Sequence, residues 1–148
     1  MGCDIHLHVE IKINRKWYHF NNPRIERDYL LFSKLAGVRN DKPGDPWYVE
    51  PLDKPRGLPA DMDFITRLCY DREEPDAHSE SHISLKEMEE VEKWCMGRIR
   101  GNEDPDLRYQ LQCPFGYLMG NGFDEENLKQ LSEEYGIEDA RAIFWFDN

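Results

Sequence analysis

The chain predicts an α+β fold: a small antiparallel sheet, formed by an N-terminal hairpin and a C-terminal strand, packed with about four helices and long loops. Three observations carry this. Residues 3 to 13 alternate strictly between apolar and polar, the middle of the chain has helical apolar spacing bounded by caps, and Ala140 to Phe146 is a closing apolar run.

Strand side chains leave opposite faces with period two. The first strand therefore turns Cys3, Ile5, Leu7, Val9, Ile11 and Ile13 to one face, and Asp4, His6, His8 and Glu10 to the other. Asn14-Arg15-Lys16 is a turn, and Trp17-Tyr18-His19-Phe20 a returning strand. Asn21-Asn22-Pro23 breaks the hairpin. Asp28 caps a helix through Tyr29 to Leu35 that ends at Gly37. Seven prolines and glycines between residues 40 and 60 predict a long surface loop, of the kind that serves as a lid or binding segment.

A second helix is expected from about Asp61 to Asp71. Ser84 and Glu87 have capping-box spacing and start a third, with Leu85, Met88, Val91 and Cys95 inward. Residues 101 to 122 read as loop, and Asp124 opens a fourth helix reaching Tyr135 before Gly136. At 148 residues the chain has the length of a single globular domain, 1–148, with a core that needs no disulfide staples.

The net charge of -11 disfavours direct nucleic-acid binding, which requires clustered Lys and Arg. Acidity concentrates late: residues 124 to 139 hold seven acidic side chains and one basic. Such runs are commonly solvated helix faces, but they also suit an inhibitor that presents carboxylates to a basic partner. Cys3, Cys69, Cys95 and Cys113 lack metal-ribbon or disulfide spacing, which points to free thiols in a reducing cytoplasm. No stretch approaches the roughly 20 apolar residues of a membrane span, so a soluble protein is expected.

His6 and His8 are the leading candidate metal ligands. Same-face neighbours on a strand lie roughly 7 Å apart, close enough for two imidazoles to reach one ion, and His with carboxylates suits Zn or Mn. The competing account is a wet strand face carrying ordinary polar residues. The segment Asp76 to His82 supplies a second cluster, read as a loop, in which His78 completes a three-nitrogen site with a fourth position for water. An Asx or Ser turn is its competitor. Asp147 is a further candidate ligand. Asp4 or Glu10 is placed as general base or as the group orienting a ligand His, and Arg56, among rigid prolines, as a clamp for a phosphorylated substrate. An ordinary surface ion pair is the alternative for Arg56.

Met-Gly-Cys-Asp-Ile-His at 1 to 6, Leu-Ala-Gly-Val-Arg at 35 to 39, Pro-Arg-Gly-Leu-Pro at 55 to 59, Asp-Ala-His-Ser at 76 to 79 and Phe-Trp-Phe-Asp-Asn at 144 to 148 resemble a family of small bacteriophage and prophage proteins. The resemblance spans the chain and implies a phage protein acting in the host cytoplasm. It names no activity. Members often carry another His near position 80, where this chain has Glu80. The His-x-His strand is also similar to the opening of amidohydrolases and related phosphoesterases, whose barrels of roughly 250 residues exceed this chain.

The resulting expectation is a divalent-metal-binding protein that hydrolyses a small phosphorylated or nucleotide-like molecule. The alternatives are an acidic, non-enzymatic inhibitor of a host defence protein and a protein that sequesters a small ligand without turnover.

Overall fold

The computed structural model describes residues 2–73, 75–101 and 113–148. Strand β1 (Asp4–Ile13) turns through Asn14 and Arg15, both at positive φ, into β2 (Lys16–Asn21). Consecutive left-handed residues are the requirement of a type I′ hairpin turn. Helix α1 (Tyr29–Ala36) starts on Asp28, whose carboxylate accepts from Leu31 N, and stops at Gly37 with φ 71°. There follow α2 (Phe64–Glu73), β3 (His78–Ser84), α3 (Leu85–Gly101), the short α4 (Gly116–Gly120), α5 (Glu125–Tyr135) and β4 (Ile137–Asp147).

The four strands form one antiparallel sheet in the order β2-β1-β4-β3, so the fold is α+β, with the N-terminal hairpin and the C-terminal strand in a common sheet. The first and last strands are its centre. Ile5, Leu7 and Val9 of β1, with Ala142, Phe144 and Phe146 of β4, face α1 and α3, where Leu31, Phe32, Leu35, Met88, Val91 and Cys95 complete the core. Both α3 capping-box bonds form: Glu87 N donates to Ser84 Oγ at 3.2 Å, and Ser84 N to Glu87 Oε1 at 3.1 Å.

Three expectations need correction. Residues 78 to 82 are not loop but part of the edge strand β3, which pairs Ser81 with Phe144 and Ile83 with Ala142. The run is polar and carries little strand propensity; pairing with the apolar β4 imposes the conformation instead. A sheet with one apolar and one polar face predicts helices on the apolar face alone, but α2 lies on the other, where Thr66 reaches Glu10 and Tyr70 packs edge-on to Trp145. In the predicted 101–122 loop, residues 116–120 are helical, while 102–112 lie outside the described residues.

Candidate metal centre

The second face of the sheet is lined by the polar residues of the opening alternation. Antiparallel register sets His6 opposite Trp145, His8 opposite Ile143, Glu10 opposite Arg141, and Asp4 opposite Asp147. Trp145 is fully buried and organises this face: the His6 ring stacks on it at 6.0 Å, and that of His8 at 5.0 Å. These contacts fix both imidazoles. Among the described residues the indole Nε1 of Trp145 has no hydrogen-bond partner.

His6 is diagonal to Asp147 across the β1–β4 pair, a separation that long side chains span. Its Nε2 lies 2.7 Å from Asp147 Oδ2 and 3.5 Å from Glu73 Oε2, the latter at the last residue of α2. One ligand atom from each residue lies within 4.8 Å of the other two. All three side chains are partly exposed, at 29% for His6, 23% for Asp147 and 38% for Glu73, so an ion can reach them. Ligands at about 2.0 to 2.2 Å in a tetrahedron are about 3.3 to 3.5 Å apart, so the His6–Glu73 spacing already fits and the His6–Asp147 pair needs to open slightly.

The other predicted residues are placed differently. His8 turns to His19, with Nδ1 and Nε2 3.0 Å apart, and is 2% exposed. Burial first, then the neighbouring His19 and His6, pushes its pKa down to about 4, which keeps it neutral near pH 7. His78 stacks on Phe146 and bonds Ser79 and Asn148. Among the described residues His6, His8 and His78 do not gather into one ligand group, so the three-nitrogen arrangement gives way to His6, Glu73 and Asp147.

Glu10 is fully buried and accepts from Asp63 N, Thr66 Oγ1, Arg141 Nε and Arg141 Nη2 at 2.6 to 3.0 Å. Four donors fill its lone pairs, so it anchors the fold rather than accepting a proton from water. Asp4, opposite Asp147 in the register, is paired with Arg27 at 2.6 and 3.1 Å, and this bond holds its carboxyl below the usual range. Arg56 is also committed. It makes a bidentate pair with Glu87 at 2.7 and 2.6 Å, donates to the His82 carbonyl, and reaches Asp53. The predicted phosphate clamp is thus a staple between the long loop and the start of α3.

Sequence reasoning missed Glu73. It stands in Asp71-Arg72-Glu73-Glu74, which reads as an ordinary charged helix end, and only the docking of α2 across the sheet brings it to His6.

The fold and site together define an α+β protein with a His-Glu-Asp group at one end of a four-stranded antiparallel sheet. No family model, curated protein or solved structure matches the chain.

Proposed function

We propose that the protein binds one divalent cation, zinc or manganese, through His6, Glu73 and Asp147, and uses it to hydrolyse a small phosphorylated, nucleotide-like molecule. The convergence of an imidazole nitrogen and two carboxylate oxygens from three separate elements supports this reading. One nitrogen with two oxygens is a donor set for borderline to hard divalent ions. Three protein ligands would leave coordination open for water, and zinc held there would supply activation of that water near neutral pH.

His6 and Asp147, which share a hydrogen bond between Nε2 and Oδ2, would exchange it for bonds to the ion. The stacking of His6 on Trp145 would keep its Nε2 directed at the two carboxylates with the ion bound. The resemblance to phage and prophage proteins supports a small host metabolite or signalling molecule as substrate.

The test is hydrolysis of p-nitrophenyl phosphate and of a nucleotide panel by chelator-treated protein with zinc or manganese restored. Turnover that requires the metal, and falls at least tenfold in Glu73→Gln, is expected. Metal-independent turnover, or none on any substrate with metal bound, contradicts the hydrolytic part; recovery of bound, unaltered nucleotide assigns sequestration instead.

A further inference from the structure

Cys95 and Cys113, which the sequence spaces too widely for a metal ribbon, come together in the fold as free thiols. Cys95 lies on the inward face of α3, Met96 follows it along the helix, and Cys113 precedes the turn into α4. Phe115 N donates to the Glu92 carboxylate at 2.6 Å, which ties that turn to α3. The Cys113 thiol donates to Met96 Sδ at 3.6 Å and shares a side-chain hydrogen bond with Cys95. Three sulfurs from two segments are thus gathered around Cys113.

The group has a buried side and a surface side. Cys95 is fully buried, Cys113 is half-buried and Met96 is 40% exposed. Arg98 contacts the Cys95 thiol and is fixed there: it pairs with both Asp28 oxygens at 3.2 and 2.7 Å and lies 4.3 Å over the Trp94 ring. Among the described residues the buried Nε of Arg98 has no hydrogen-bond partner. A fixed positive charge with an unused donor favours a neighbouring sulfur that carries negative charge. Burial pushes the Cys95 thiol up to about 12 and raises that of Cys113, so both keep their protons at neutral pH until a cation draws them off.

We propose that Cys95, Met96 and Cys113 form a site for a soft monovalent cation, copper(I), held by two thiolates and one thioether. Thiolate and thioether donors select copper(I), whereas zinc sites are built from thiolates, imidazoles and carboxylates. The thioether therefore decides the metal. Sulfurs about 2.3 Å from one ion stand about 3.8 to 4.0 Å apart, so the Cys113–Met96 contact needs to open only slightly. The three rotatable bonds of Met96 let its sulfur make that adjustment. On binding, two S–H protons would pass to solvent as two sulfur–copper bonds form, with no change in the oxidation state of copper. The site shares no residue with His6, Glu73 and Asp147, and it stands whether or not that group holds an ion.

Anaerobic titration of the reduced full chain with copper(I), against a chromophoric copper(I) chelator of known affinity, tests this. Wild type is expected to take up one copper(I) with a thiolate-to-copper absorption band in the ultraviolet. Affinity should fall roughly tenfold or more in Cys113→Ser and in Met96→Leu, and stay unchanged in Cys69→Ser and in His6→Ala/Asp147→Asn. Cys113 and Met96 are partly exposed, so these variants are read if Cys95→Ala fails to fold. No copper(I) uptake by folded wild type, or equal uptake by wild type and Cys113→Ser, overturns the site. Wild-type affinity in Met96→Leu overturns the assignment of the thioether as a ligand.

Discussion

At the scale of single residues, the opening alternation divides its polar side chains between two tasks. Glu10 belongs to architecture: removing it leaves Arg141 buried beside Asp61 with half its partners gone. Breaking a buried ion pair from one side costs about 3 to 5 kcal/mol, so Glu10→Ala should lower the urea midpoint by a corresponding amount without altering metal uptake. His8 sets the acid limit. Its pKa is about 4 in the folded protein against an ordinary 6.5, so between those values the unfolded chain binds more protons and stability rises with pH. Acidification from pH 7 to pH 4 should therefore remove up to about 3 kcal/mol through this group, at about 1.4 kcal/mol per pH unit. Urea titrations at several pH values check it: the slope across that window should flatten in His8→Gln, and an unchanged slope would place the acid sensitivity elsewhere.

At the scale of elements, legibility follows from how local the determining physics is. The hairpin, α1, α3 and α5 are readable because each carries its own punctuation: Asn14-Arg15 in the turn, Asp28 and Asp124 as N-caps, Ser84 with Glu87 as a capping box, Gly37 and Gly136 as left-handed stops. Strand β3 is not readable, since His78-Ser79-Glu80-Ser81-His82 offers no apolar alternation and its pairing partner lies some sixty residues on in β4. For the same reason the site is half visible. His6 and Asp147 announce themselves by residue type and strand position, whereas Glu73 arrives through the packing of α2. Arg56 misleads because a proline-framed arginine looks presented to solvent, and the carboxylate that takes it, Glu87, is identifiable locally only as a capping residue. That pairing holds the Glu87 carboxyl down to about 2.

At the scale of the whole molecule, the sheet separates two surfaces that make different claims. The start of β1 and the end of β4 carry the group of His6, Glu73 and Asp147, while α3 and α5 form an acidic exterior with Glu90, Glu125, Glu126, Glu133 and Glu134 in the open. Capture of a basic host protein would use the second surface and hydrolysis the first, so charge reversal separates them. Glu126→Lys with Glu133→Lys should leave metal uptake and turnover unchanged, and a loss of turnover with the fold intact would implicate the acidic surface in activity. Neither face is an accident of composition. The first arises because a strand at the centre of the sheet directs alternate polar residues into a layer sealed by α2, where only paired groups such as Glu10 and Arg141 persist, and leaves His6 at the open end.

The measurement closest to the central claim is metal content by elemental mass spectrometry, on protein purified without added metal and again after reconstitution with zinc or manganese. It compares wild type with His6→Ala/Asp147→Asn. Close to one ion per chain in wild type, lost in the double variant while its fold is retained, is the predicted result. A folded wild type that takes up no ion after reconstitution, or a double variant that binds as well as wild type, would contradict it.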